Sequence, residues 1–160
     1  MEIEMRTIKP PMMTYRDNVK ELAIFLAGSI EMGAAENWQA KIEEAMKDRN
    51  VLLLNPRRDD WDSNWKQEIA NDHFYGQVEW ETAALEYADV IAMYFDPNTK
   101  SPISLLELGL FADSGKMLVC CPESFWRKGN VDFICEKYGI DTFDNLDDLI
   151  HAMKEITMDS

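Results

Sequence analysis

The stretch from residue 88 to residue 121 constrains the fold of this chain more than any other. Residues 90–95 (VIAMYF) form a continuous apolar run that is too short for a helix and typical of a strand buried on both faces of a parallel sheet. After a polar loop, apolar residues repeat at helical spacing as far as Gly115, and residues 117–121 are a second apolar run. The stretch therefore predicts a strand, a helix and a second parallel strand.

The remaining apolar runs continue this alternation of strand and helix. A helix is expected over residues 65–87 and another near the end of the chain. Together these elements predict an α/β fold with a doubly wound, flavodoxin-like parallel sheet of about five strands and helices on both faces. The predicted strands are residues 22–27, 51–54, 90–95, 117–121 and 140–143, with a further short edge strand at 5–8.

Length, charge and cysteine content bound the class of protein. The 160 residues predict an N-terminal arm (1–20) and a single domain (21–160). A net charge of −14 argues against nucleic acid or an anionic membrane as partner, because both would repel the chain. Three cysteines without metal-ligand spacing, and no apolar run of membrane-spanning length, predict a cytoplasmic protein.

Two carboxylates are candidates for catalysis. Glu107 falls in the first turn of the helix predicted after residues 90–95, at the sheet edge where open α/β folds bind ligands. Its spacing from Ser104 also matches a capping box, and spacing alone favours that structural role. Asp89 opens the central strand, where a structural acid is the commoner interpretation.

Several loop residues are candidates for binding. Gly28 and Ser29 follow the first buried strand, where small residues let backbone amides approach a phosphate or a sugar. Arg57 could hold a phosphate, although neighbouring aspartates make a salt-bridged loop equally reasonable. Trp61 could stack on a nucleobase, and the loop over residues 57–64 is long enough to be a lid over the substrate.

Metal and cofactor chemistry are not predicted. His73 and His151 are isolated in the sequence, and neither has a neighbouring motif typical of a zinc site or a catalytic triad. The aspartates of the loop over 57–64 are more typical of a solvated acidic loop than of a magnesium site. The expectation is an enzyme or binding protein that uses no cofactor.

Six blocks of sequence, taken in order, resemble the nucleoside 2-deoxyribosyltransferase family, and specifically its branch of short deoxyribosyltransferase-like domains. The resemblance covers residues 22 to 140 and includes Glu107 in an ELG motif. The blocks are IFLAGSI (24–30), LLNPRR (53–58), QVEWE (77–81), ADVIAMYF (88–95), PISLLELGL (102–110) and RKGNVD (127–132).

The resemblance implies a retaining transfer of deoxyribose between nucleobases. Glu107 would attack the anomeric carbon to form a glycosyl-enzyme ester, and Asp89 would help protonate the departing base. Gly28 and Ser29 would lie in the loop that binds sugar and base. Asn130 matches an asparagine that reaches the active site of a neighbouring subunit, which implies a homo-oligomer.

The position six residues before the nucleophile leaves the substrate open. The transferases usually carry an aspartate there, for the sugar 5′-hydroxyl, whereas related deoxynucleoside-monophosphate hydrolases carry a serine that binds the 5′-phosphate; this chain has Ser101. Transfer of deoxyribose between bases is the first interpretation. Hydrolysis of a nucleoside or nucleoside monophosphate is the alternative, and a non-catalytic nucleotide-binding module is an alternative of another class.

Overall fold

The computed structural model describes residues 5–12, 21–30, 36–57 and 65–157, and in this part of the chain six parallel strands form one sheet. Their order is β1-β3-β2-β4-β5-β6, so β2 to β6 follow the predicted flavodoxin-like arrangement. β1 is a sixth strand, paired with β3 where the sequence predicts an edge strand. The strands are β1 (Arg6–Ile8), β2 (Leu22–Gly28), β3 (Val51–Leu54), β4 (Val90–Tyr94), β5 (Met117–Cys120) and β6 (Asp141–Phe143).

Five helices cover the two faces of the sheet in the described residues. α2, α3 and α4 pack on one face, where their buried residues join a core that includes Phe25, Met93 and Val119. α1 and α5 pack on the other face around Leu26 and Leu53. The helices are α1 (Trp38–Met46), α2 (Asp72–Tyr87), α3 (Pro102–Phe111), α4 (Lys128–Tyr138) and α5 (Leu146–Thr157), with a short 3-10 helix at Ala112–Ser114.

Burial on both faces explains the unbroken apolar runs of the central strands. In β2, Ile24 and Leu26 face the core under α1 and α5, while Phe25 and Ala27 face the core under α2, α3 and α4. All four side chains are at most 1% exposed. A strand with a solvated face would alternate instead, so the run itself predicts this three-layer packing.

The predicted helix over residues 65–87 is too long, because α2 begins only at Asp72. Asn71 ends the preceding segment as the N-cap, and its Oδ1 accepts a hydrogen bond from the Phe74 amide at 3.1 Å. Gly76 lies inside the helix without interrupting it. Val78, which the helical pattern predicts to face inward, is 42% exposed. Across the described ranges, no helix combines the length and apolarity needed to cross a bilayer.

Candidate active site

The candidate site lies at the point where the strand order reverses. β2 and β4 are neighbours, yet the chain leaves β2 toward β3 on one side and leaves β4 toward β5 on the other. Their pairing ends with Gly28 opposite Tyr94, and the two following loops diverge from this end. Such a crevice at the carboxyl ends of parallel strands is where open α/β folds bind ligands.

Three buried hydroxyl groups, from Ser29, Thr99 and Ser101, meet at this edge. The Ser29 and Ser101 hydroxyls share a short hydrogen bond, and the Thr99 Oγ1 lies 3.0 Å from Ser29 Oγ and 2.7 Å from Ser101 Oγ. Ser29 Oγ also accepts a hydrogen bond from the Asp96 amide at 2.8 Å. The cluster joins the end of β2 to the start of α3. Ser29 and Ser101, two of the predicted binding residues, thus come together, and Thr99 is a member of the cluster that the sequence did not indicate.

Gly28 permits this close approach of the two loops. Its φ is +140°, and a Cβ at this position would lie 2.1 Å from the Tyr94 carbonyl oxygen and 2.9 Å from a ring carbon of Trp38. Any larger residue would push β2 and β4 apart where they converge. The glycine therefore has a structural role in shaping the crevice.

The buried Asp96 carboxylate forms hydrogen bonds that connect the loops around this cluster. This residue was given no role from the sequence. Its Oδ2 accepts a hydrogen bond from the Glu36 amide at 2.9 Å, and its Oδ1 accepts one from the Asn98 amide at 2.8 Å. The first bond ties the approach to α1 to the loop after β4. This contact fixes one wall of the crevice.

The capping-box interpretation of Glu107 is wrong. α3 begins at Pro102 with Ser101 as its N-cap, so Ser104 is the third helical residue and Glu107 the sixth. The error arises because Pro102 starts the helix earlier than the serine pattern suggests: proline is favoured at the first helical position. Ser101 itself adopts a left-handed conformation, with φ 48° and ψ 54°. Such strain in a non-glycine residue clusters at functional sites.

Glu107 instead lies close enough to a second carboxyl group, that of Glu81 on α2, for the two charges to interact. Burial and, secondarily, the charge of Glu81 together raise the pKa of Glu107 to about 8. Burial raises the pKa of Glu81 as well, against a hydrogen bond from Gln77 that lowers it. Two interacting acids in a partly buried position bind one proton more tightly than isolated carboxyl groups do. This is the pattern of paired titratable groups from which acid and base roles are assigned.

Gln77, one helical turn before Glu81 on α2, holds the Glu81 carboxyl group by a hydrogen bond. Its Nε2 donates to Glu81 Oε1 at 2.9 Å and to the Pro56 carbonyl at 3.0 Å. Gln77 and Glu81 are four residues apart and therefore share one helix face, a spacing visible in the sequence. Neither residue was given a role from the sequence.

Asp89 does not lie at the carboxyl edge of the sheet with the hydroxyl cluster. It precedes β4 at the amino edge of the sheet, where its Oδ2 accepts a hydrogen bond from the Ala23 amide at 2.9 Å. α2 continues from Glu81 to Tyr87, roughly 9 Å of helix at 1.5 Å per residue, before the chain reaches Asp89. The structure therefore does not bring Asp89 to the hydroxyl cluster at the carboxyl edge.

Of the other predicted binding residues, the structure describes Arg57 and Asn130 but not Trp61. Arg57 follows β3 and donates through Nη1 to Gln39 Oε1 at 3.3 Å and to the Glu36 carbonyl at 3.4 Å. Asn130 is exposed in the first turn of α4. Trp61 and residues 58–64 of the predicted lid lie outside the described residues.

Two basic side chains, those of Lys100 and Arg127, lie against the Trp126 ring beside the hydroxyl cluster. Trp126 Nε1 donates to the Lys100 carbonyl at 2.9 Å, next to Ser101. The Lys100 ammonium lies 5.1 Å from the Trp126 ring centroid, and the Arg127 guanidinium carbon lies 4.5 Å from it. Lys128 is directed elsewhere, with its Nζ donating to the Cys121 carbonyl at 3.0 Å. Two surface depressions, between α1 and α5 and along the outer face of α2, do not include Glu107.

Fold and site together define an open parallel α/β protein in which two interacting carboxyl groups lie on α2 and α3, the helices that precede and follow β4. A model of the family described as "Nucleoside 2-deoxyribosyltransferase like" matches residues 21–125. The chain belongs to this family. The matched range contains Ser29, Glu81 and Glu107 but ends before Asn130.

A likeness to a solved structure supports the fold. The crystal structure of a conserved protein from Enterococcus faecalis V583 superposes with a TM-score of 0.56 at 14% sequence identity. The superposition covers 85% of this chain and 99% of that one. No curated protein matches the sequence.

Proposed function

We propose that this protein transfers 2-deoxyribose between nucleobases by cleaving the N-glycosidic bond of a deoxyribonucleoside, with Glu107 as the nucleophile. The observation that carries the proposal is the placement of Glu107. It lies in the second turn of α3, outside any capping box, and close enough to Glu81 for the two charges to interact. Family membership supports the substrate class.

The paired carboxylates suit a double displacement. A carboxylate oxygen of Glu107 attacks the anomeric carbon of the sugar while the bond from that carbon to the base nitrogen breaks, and its electron pair leaves with the base. The base is stabilised as it leaves by a proton at a ring nitrogen. An acceptor base then attacks the sugar ester, which regenerates the Glu107 carboxylate and completes the transfer.

We assign the proton to Glu81 rather than to Asp89. Glu81 lies close enough to raise the pKa of Glu107, whereas Asp89 is bonded to the Ala23 amide at the amino edge. When two acids share one proton, Glu81 can hold it while Glu107 is ionised for attack. The positive charge that develops on the sugar in the transition state favours an ionised Glu107 and a protonated Glu81. Asp89 then has a structural role between β2 and β4.

A second candidate is hydrolysis of a nucleoside 5′-monophosphate by the same glutamate, with water as the acceptor. The hydroxyl of Ser101 and the cations of Lys100 and Arg127 beside it favour a phosphate at the sugar 5′ position. The N-terminus of α3 at Ser101 supports the same placement, because helix N-termini bind anions.

The outer surface of α3 and α4 supports the expected homo-oligomer. Ile103, Leu106 and Leu110 are 57%, 66% and 66% exposed and recur along one side of α3. Phe133 is 66% exposed on α4, three residues from Asn130 and on the same side. A second copy of the chain covering these residues would bring Asn130 toward its neighbour, as the family resemblance implies. Sedimentation of the Leu106→Glu variant, expected to be monomeric, tests this arrangement.

The deciding experiment follows products by chromatography. Purified protein is incubated with deoxyadenosine or its 5′-monophosphate, with and without a free acceptor base, beside the Glu107→Gln variant. A new nucleoside formed only with acceptor, and only by the wild type, establishes transfer. Base release without acceptor establishes hydrolysis, and dependence on the 5′-phosphate then assigns Ser101. Equal inactivity of both proteins on every substrate would leave a binding module.

A further inference from the structure

The side-chain oxygen of Gln77 is buried without a hydrogen-bond partner in the described part of the chain. The residue is 8% exposed, and both protons of its amide nitrogen are used by Pro56 and Glu81. Leaving a buried carbonyl unpaired is costly, so such groups are rare in native proteins. An unpaired oxygen beside a candidate catalytic acid offers a hydrogen-bond acceptor to a ligand at this position.

The orientation of the Gln77 amide is determined by its neighbours. The Pro56 carbonyl can only accept a hydrogen bond, so the nitrogen of Gln77 must face it. Rotating the amide would set two oxygens against each other and would also remove the donor to Glu81. The Gln77 oxygen therefore stays an acceptor, and it cannot adapt to a ligand that presents another acceptor.

Gln77 and Glu81 together form a matched pair of polar groups. Protonated Glu81 is a donor, and the Gln77 oxygen beside it is an acceptor. Adenine presents the complementary order on one edge, a ring nitrogen that accepts next to an amino group that donates. Guanine presents two acceptors on the same edge. Cytosine has an amino group next to a ring nitrogen, whereas uracil has an oxygen at the position of that amino group.

We propose that Gln77 is a specificity-determining residue whose Oε1 accepts a hydrogen bond from the exocyclic amino group of the nucleobase, while Glu81 contacts the adjacent ring nitrogen. The site would then prefer amino-substituted bases to their oxo counterparts. The proposal rests on the proposed function for its substrate class. Within it, the proton of Glu81 passes to the ring nitrogen as the glycosidic bond breaks, and Gln77 itself exchanges no proton.

Paired substrates that differ at one group provide the kinetic test. The kcat/KM is measured for deoxyadenosine against deoxyinosine, and for deoxycytidine against deoxyuridine. A wild-type preference for the amino substrate of about tenfold or more is expected, since an oxo group would leave the Gln77 oxygen facing an acceptor. In Gln77→Leu this ratio should fall toward one, whereas Glu79→Gln, an exposed change on the same helix, should keep it. A Gln77→Leu ratio equal to the wild-type ratio would overturn the proposal.

A binding experiment separates this proposal from the proposed function. Glu107→Gln is titrated calorimetrically with free adenine and free hypoxanthine, and adenine is expected to bind about tenfold more tightly. The double variant Glu107→Gln, Gln77→Leu should lose that difference; Gln77→Met replaces Gln77→Leu if the latter does not fold. Selective adenine binding without turnover by the wild type would refute the transferase and retain Gln77. Equal binding of the two bases would refute the role of Gln77 whatever the turnover.

Discussion

The hydroxyl groups of Ser29 and Ser101, which are 72 residues apart in the sequence, are hydrogen-bonded to each other at the carboxyl edge of the sheet. One follows β2 and the other begins α3, so the contact closes the crevice between the two strands at which the chain reverses direction across the sheet. The hydroxyl cluster of Ser29, Thr99 and Ser101 is thus a structural joint as well as a candidate subsite.

The Ser29→Ala substitution should lower the free energy of unfolding by about 1–3 kcal/mol, because it leaves the buried Asp96 amide without its acceptor. Urea unfolding followed by circular dichroism measures the change. Ser114→Ala, at an exposed serine of the 3-10 helix, is the matched control and should cost less than about 0.5 kcal/mol. Equal effects of the two substitutions would argue against a joint at Ser29.

The Gly28→Ala substitution should be among the most damaging in the chain. The added Cβ would overlap the Tyr94 carbonyl oxygen at 2.1 Å, and alanine rarely adopts a φ of +140°. Overpacking and backbone strain together predict a loss of about 3 kcal/mol or more, measured by thermal or urea unfolding. Gly76→Ala is the control, since nothing lies within 4 Å of a Cβ there, and it should stabilise α2 by about 0.5–1 kcal/mol. A well-folded Gly28→Ala protein of wild-type stability would contradict this account of the crevice.

The acid pair predicts a pH dependence of stability. Burial raises the pKa of Glu107 from its ordinary 4.5 to about 8, so the folded protein holds this proton more tightly than the unfolded chain does. The resulting stabilisation is complete below about pH 4.5 and is lost as the pH rises through 8. Glu107→Gln cannot lose a proton, and its stability relative to the wild type should therefore increase between pH 5 and pH 8.

Urea unfolding at several pH values measures this difference. Because the whole chain carries a net charge of −14, the comparison between variant and wild type is informative and the slope of either alone is not. Glu123→Gln, at an exposed loop position, should run parallel to the wild type. Parallel curves for Glu107→Gln would show that Glu107 itself does not take up a proton in the folded protein over this pH range.

Lys116 should stabilise the amino edge of the sheet. Its Nζ donates to three carbonyls at the end of α2, those of Leu85, Glu86 and Ala88, at 2.7, 3.2 and 2.8 Å. Replacing it with methionine, which keeps the apolar stem, should cost about 1–3 kcal/mol of unfolding free energy. Lys137→Met, at an exposed lysine in the last turn of α4, is the matched control. Wild-type stability of Lys116→Met would contradict a capping role.

Substitutions of Asp89 and Glu81 are expected to affect kcat/KM differently. Asp89→Asn retains an oxygen that can accept from the Ala23 amide, so its kcat/KM should stay within about threefold of the wild type. Glu81→Gln removes the proposed proton donor and should lower kcat/KM by about 100-fold or more on substrates with poor leaving bases. Steady-state assays of both variants measure the difference. The reverse order of effects would restore the catalytic role that the sequence suggests for Asp89.

The sequence by itself determined the layers of this fold. Unbroken apolar runs in β2, β3 and β4 require burial on both faces, and the alternation of such runs with amphipathic segments requires a parallel sheet between helices. The flavodoxin-like strand order followed from the right-handed crossovers that join parallel strands, and a short edge strand was expected at β1. These properties are predictable because periodicity reports directly on which side of an element is buried.

Only the tertiary structure decided which polar groups meet. The 25 residues between Glu81 and Glu107 include the end of α2, the whole of β4 and the start of α3, and local pattern does not report how these two helices approach each other on one face of the sheet. The start of α3 at Pro102 placed Glu107 in the second turn, and the start of β4 placed Asp89 at the opposite edge. The acid pair and the hydroxyl cluster depend on packing between elements distant in sequence, and that packing is set by the fold as a whole.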